Sequence, residues 1–78
     1  MISDKLKQII LKELDLEDFA INSQTMANEI PGWDSLKHIS VIIAIEEAYE
    51  IRLPGREVRN LANIGELQEL VNDKLSNK

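Results

Sequence analysis

No cysteine occurs anywhere in the 78-residue chain. Disulfide staples and thiolate metal sites are therefore excluded, and a reducing compartment, the cytoplasm, is the expected location. Long hydrophobic runs are absent too. The longest, residues 41–45, is far too short to span a bilayer, and Met1 leads straight into an amphipathic pattern without a signal-peptide core. Basic residues are outnumbered, with 9 Lys and Arg against 14 Asp and Glu and a net charge of −5. That balance argues against nucleic acid, membrane insertion or an anionic membrane surface and favours a basic protein partner. Proline occurs 2 times, each time before glycine, and Pro31-Gly32 and Pro54-Gly55 both read as breaks between elements. No strand, repeat or linker is evident. At this length the expectation is one domain over residues 1–78, with a core worth about 3–5 kcal/mol net.

What is present is helical spacing. Ile2, Leu6, Ile9, Ile10 and Leu14 recur on one face and predict a first helix over 3–14, capped by Ser3 or Asp4. Residues 15–33 lack periodicity. Leu16, Phe19, Ile21, Met26 and Ile30 are expected to pin this long loop across the helices. A second helix is predicted over 34–50 with Asp34 as its cap, then a short helix over 56–61. Asn63 and Glu66 have capping-box spacing before a last helix whose stripe is Ile64, Leu67, Leu70, Val71 and Leu75. The fold class is all-α: a small four-helix bundle of three main helices and one short one, with a long loop between helices one and two.

The second helix has two apolar faces. At roughly 100° per residue, Val41, Ile42, Ile45, Ala48 and Tyr49 form one arc, the expected core face. Leu36, Ile39 and Ile43 fall on another arc, beside Ser40, Glu46, Glu47 and Glu50, with Ser35 at its edge. Carboxylates resist full burial, so this second strip reads as a binding surface rather than as packing under the loop.

Ser35 stands at the mouth of that helix. A catalytic serine needs a base and oxyanion donors. The chain has a single histidine, His38, one turn on and directed by the wheel toward the core arc, where packing is its expected role. There is no G-x-S-x-G elbow, and Trp33 interrupts any G-D-S-L string. Asp15, Glu17 and Asp18 lack the spacing and glycine of a calcium loop and read as a solvated acidic turn; no metal site is expected. Attachment remains open, because a helix N-terminus offers free N–H groups and a positive dipole end to a phosphate. A plain helix-start serine remains open as well.

The stretch GWDSLKHISVIIAIEEAYEIRLP resembles the second helix of acyl carrier proteins, and the chain follows that family's order from first helix to last. The resemblance implies a non-enzymatic carrier with 4′-phosphopantetheine joined to Ser35 through a phosphodiester. The group would come from coenzyme A through a phosphopantetheinyl transferase, and its thiol would hold acyl groups as thioesters. It implies a monomer whose Asp34, Leu36, Ile39, Ile43, Glu46 and Glu47 meet acyl-loading, condensing or acyl-transferring enzymes with basic docking patches. Lys37 and Ser40 depart from the acidic start of helix two in fatty-acid carriers. They favour a specialised pathway (polyketide, peptide-linked or glycan-modifying synthesis), with fatty acid synthesis the alternative. Trp33 is bulkier than the family's usual residue and is expected to pack under the loop, the alternative being that it helps shape a partner contact. Ile42, Ile45 and Ala62 would border any interior cargo space, with ordinary core packing the expectation. The alternative class is a small acidic helical adaptor without a prosthetic group.

Overall fold

The structure, a computed structural model, describes residues 2–77. Its helices are α1 (Asp4–Glu13), α2 (Ser35–Tyr49), α3 (Gly55–Val58) and α4 (Ile64–Ser76), with a turn of 3-10 helix at Ala27–Glu29 inside the long loop. No strand occurs among the described residues. The all-α expectation holds.

Local chemistry sets each start. Ser3 Oγ accepts the Leu6 N–H at 3.2 Å to cap α1. Asp34 Oδ1 accepts the Lys37 N–H at 2.8 Å to cap α2, so Ser35 is the first helical residue. The short helix begins earlier than expected and is shorter, because the Pro54 carbonyl accepts the Glu57 and Val58 N–H groups at 3.0 and 3.1 Å. Buried Val58 anchors its end. At α4, Asn63 Oδ1 accepts the Glu66 N–H at 2.9 Å, as its spacing predicts. The Glu66 carboxylate reaches the Ala62 N–H, one residue beyond the cap, rather than Asn63 itself.

One apolar cluster joins all four helices. Leu6, Ile10 and Leu14 meet Val41 and Ile45 of α2, Leu53 and Val58 from the α3 region, and Ile64, Leu67 and Val71 of α4. The core arc of α2 needs one correction. Ala48 is exposed, because it lies opposite Lys5 rather than an apolar residue, and its carbonyl accepts Lys5 Nζ at 3.4 Å.

The long loop is held by polar bonds as much as by apolar pins. Leu16, Phe19 and Ile21 pack against the core and Ile30 is buried. Met26 does not serve as a pin. Its backbone N–H is held by Glu29 Oε1 at 2.8 Å and its side chain stays exposed. Two loop carbonyls instead satisfy the first free donors of α4: Thr25 O accepts the Ile64 N–H at 2.8 Å and Ser23 O accepts the Gly65 N–H at 2.9 Å. A Cβ on Gly65 would lie 2.6 Å from Ser23 O, so this docking needs glycine. The loop then ends in a tight turn closed by Trp33 N–H to Ile30 O at 3.2 Å. Pro31 and Gly32 occupy its centre, with Gly32 at φ 85°, the sequence and geometry of a type II turn. This turn delivers Asp34 and Ser35 to the top of α2.

Candidate functional site

Ser35 is exposed, and its hydroxyl makes no hydrogen bond to any described residue. It opens α2 just after the Asp34 cap, where the Ser35 and Leu36 N–H groups precede the first intrahelical bonds. Around it lies an open hollow lined by Ala27, Asn28, Trp33, Asp34, Ser35 and His38. A free hydroxyl on an open surface, beside the positive end of a helix dipole, suits a phosphate ester.

Hydrolytic chemistry finds no support in this geometry. His38 is half-buried, and its Nδ1 accepts the indole Nε1–H of Trp33 at 3.1 Å. No hydrogen bond joins His38 to Ser35. The imidazole is thus a packing partner, as its wheel position predicts. Trp33 itself is half-buried against the core. Its pairing with His38, and the contribution of Ala27 and Asn28 to the hollow, were not legible beforehand. The Trp33–His38 spacing crosses a helix start, where no periodicity applies, and Ala27 and Asn28 sit in aperiodic loop.

The second strip of α2 is uncovered. Leu36 is 78% exposed, Ile39 57% and Ile43 48%. Neither the loop nor α3 closes over them. Asp34 and Glu47 are exposed alongside, while Ser40 is half-buried. Glu46 differs from its neighbours. It is half-buried, and its Oε2 accepts the Leu53 N–H at 2.7 Å. Its backbone carbonyl also accepts the Glu50 and Ile51 N–H groups, so Glu46 ties down the exit from α2. Among the described residues no helix is long and apolar enough to cross a membrane, and no cluster of His, Asp or Glu is placed to hold a metal ion.

A helical bundle with an exposed serine at a helix mouth and an uncovered apolar strip beside it suits a carrier. The comparisons with known proteins agree. A solved structure, the holo acyl carrier protein from Geobacter metallireducens, is 35% identical and superposes with a TM-score of 0.87, covering 95% of this chain and 85% of that one. The acyl carrier protein of Wolinella succinogenes is 26% identical over 66 residues, covering 85% of this chain and 87% of the relative. That of Clostridium acetobutylicum is 28% identical over 67 residues, covering 86% and 87%. No protein-family model matches the chain. The chain belongs to the acyl carrier protein family. Its members are carriers, not enzymes; they bear covalently attached 4′-phosphopantetheine and work with a phosphopantetheinyl transferase and enzymes of acyl metabolism.

Proposed function

We propose that this chain carries acyl groups on Ser35, as a single monomeric carrier domain. The observation that supports Ser35 is its exposed hydroxyl, free of hydrogen bonds, at the N-terminus of α2 within the D-S-L motif. That hydroxyl attacks the pantetheine-side phosphorus of coenzyme A, giving up its proton; the pyrophosphate P–O bond breaks, 3′,5′-ADP leaves, and phosphopantetheine stays on Ser35 as a phosphodiester. The transferase supplies the base, since the chain pairs none with Ser35. When bound, the group contributes a terminal thiol for thioester formation, chemistry that a chain without cysteine lacks. This reading places the protein with coenzyme A in the cytoplasm.

Asp34, Leu36, Ile39, Ile43 and Glu47 are the docking strip beside the attachment point, and the open side of Glu46 borders it. Their exposure and charge support contact with basic patches on the transferase and on acyl-loading, condensing or acyl-transferring enzymes. Lys37 and Ser40 soften the acidity of the first turns of α2 and support a specialised biosynthetic pathway over general fatty acid synthesis.

The test is to incubate the apo protein with coenzyme A and a transferase, then measure intact mass. The expected result is a gain of one phosphopantetheine that disappears in Ser35→Ala. No gain with any transferase, including one from the same organism, favours the adaptor reading; a gain that survives Ser35→Ala moves the attachment elsewhere.

A further inference from the structure

Packing accounts for one ring nitrogen of His38 and leaves the other free. The ring borders two hollows. One is an inner space walled in part by Ile42 and Ala62, though not by the fully buried Ile45; the other is the open hollow that holds Ser35. Nδ1 of the ring lies 3.1 Å from the indole Nε1–H of Trp33. An indole nitrogen can only donate, so Nδ1 accepts. A neutral imidazole that accepts at Nδ1 carries its proton on Nε2. Trp33 therefore selects the tautomer, and His38 presents an N–H at Nε2.

No described residue accepts that N–H. Two polar neighbours around the hollows are already engaged: Asp34 Oδ1 accepts the Lys37 N–H and Asn63 Oδ1 the Glu66 N–H, each closing a helix cap. Ser35 stands three residues before His38 on the same helix. That spacing makes side chains neighbours, with Cβ atoms about 5–6 Å apart. A phosphodiester on Ser35 Oγ sets anionic oxygens two bonds beyond the hydroxyl position, within reach of the next turn. An N–H donated to an anionic oxygen makes a bond roughly twice as strong as a neutral one.

We propose that His38 is a binding residue for the phosphodiester on Ser35. Nε2–H donates to one of its non-bridging oxygens, and Trp33 is the positioning residue that keeps the proton on that nitrogen. The first bonds of the arm are then held against the opening turn of α2 instead of swinging freely. This deepens the Ser35 reading and rests on it.

The test compares apo and holo protein labelled with 15N histidine, at about pH 8, above the ordinary imidazole range. The chain has a single histidine, so its two ring resonances belong to His38. Intact mass confirms conversion to the holo form. In apo protein Nε2 should read as the protonated nitrogen and Nδ1 as the bare one. Conversion to holo should shift Nε2 and leave Nδ1 nearly in place, a comparison that needs no variant. In apo Trp33→Phe the two nitrogen shifts should draw closer together. The 31P resonance of holo protein should move in His38→Asn, which keeps a group only at the Nδ1 position. It should return toward the wild-type value in His38→Gln, whose amide donates near the Nε2 position. An Nε2 resonance unmoved between apo and holo, or a 31P resonance the same in wild type, His38→Asn and His38→Gln, overturns the proposal. Failure of every form to gain mass is a different result: it overturns the Ser35 reading, and this inference falls with it.

Discussion

Glu46 and Glu47 are adjacent in sequence and differ in what they do. Glu47 is exposed and holds nothing in place, whereas Glu46 binds the Leu53 N–H with its side chain and closes α2 with its carbonyl. A charge-assisted bond to a half-buried N–H contributes roughly 1.5–3 kcal/mol. Glu46→Ala should therefore lower unfolding stability by about that much in urea titration, while Glu47→Ala should leave the midpoint nearly unchanged. Equal losses in the two variants would contradict the assignment. A helical wheel places both residues on one arc and cannot separate them, because the group that claims Glu46 comes from the chain after the helix. Ser35, Asp34 and the Leu36–Ile39–Ile43 strip were legible, since cap chemistry and spacing are local. The Trp33–His38 bond was not, because it depends on how the type II turn swings the indole over the first turn of α2.

At the scale of elements, the long loop is the part that sequence describes least. Its apolar residues suggest pins, yet Met26 points outward and backbone bonds to the start of α4 take over the work. Gly65 exposes this arrangement. Alanine exceeds glycine in helix propensity by roughly 0.8–1 kcal/mol, so a helix considered alone would gain from Gly65→Ala. The loop reverses the sign. A Cβ 2.6 Å from a backbone oxygen must push Ser23 away, breaking the bond from Gly65 to Ser23 O and straining the neighbouring one from Ile64 to Thr25 O. We predict net destabilisation of more than about 1 kcal/mol, with loss of hydrogen-exchange protection at those amides. Stabilisation would mean the loop is not docked there. The helices themselves were readable to within a residue or two, except α3. There the Pro54 carbonyl fixes the start and the chain must turn early to reach Asn63.

Across the whole molecule, charge and apolar exposure coincide. The net charge of −5 belongs to a surface whose uncovered apolar strip lies on α2 beside Ser35. Attraction of this kind acts mainly on encounter and weakens with salt. Glu47→Lys should raise the transferase's KM for this carrier severalfold at low salt, and high salt should raise the wild-type KM toward the same value. A KM indifferent to both would move docking off the strip. The central claim, acyl carriage on Ser35, has its most direct test in the protein purified from its own host. Trypsin releases residues 13–37 as one peptide, since no Lys or Arg lies between Lys12 and Lys37. That peptide contains Ser23, Thr25 and Ser35, and fragmentation mass spectrometry distinguishes them. The account predicts phosphopantetheine on Ser35 with Ser23 and Thr25 bare; a peptide unmodified throughout, or modified at Ser23 or Thr25, would contradict it.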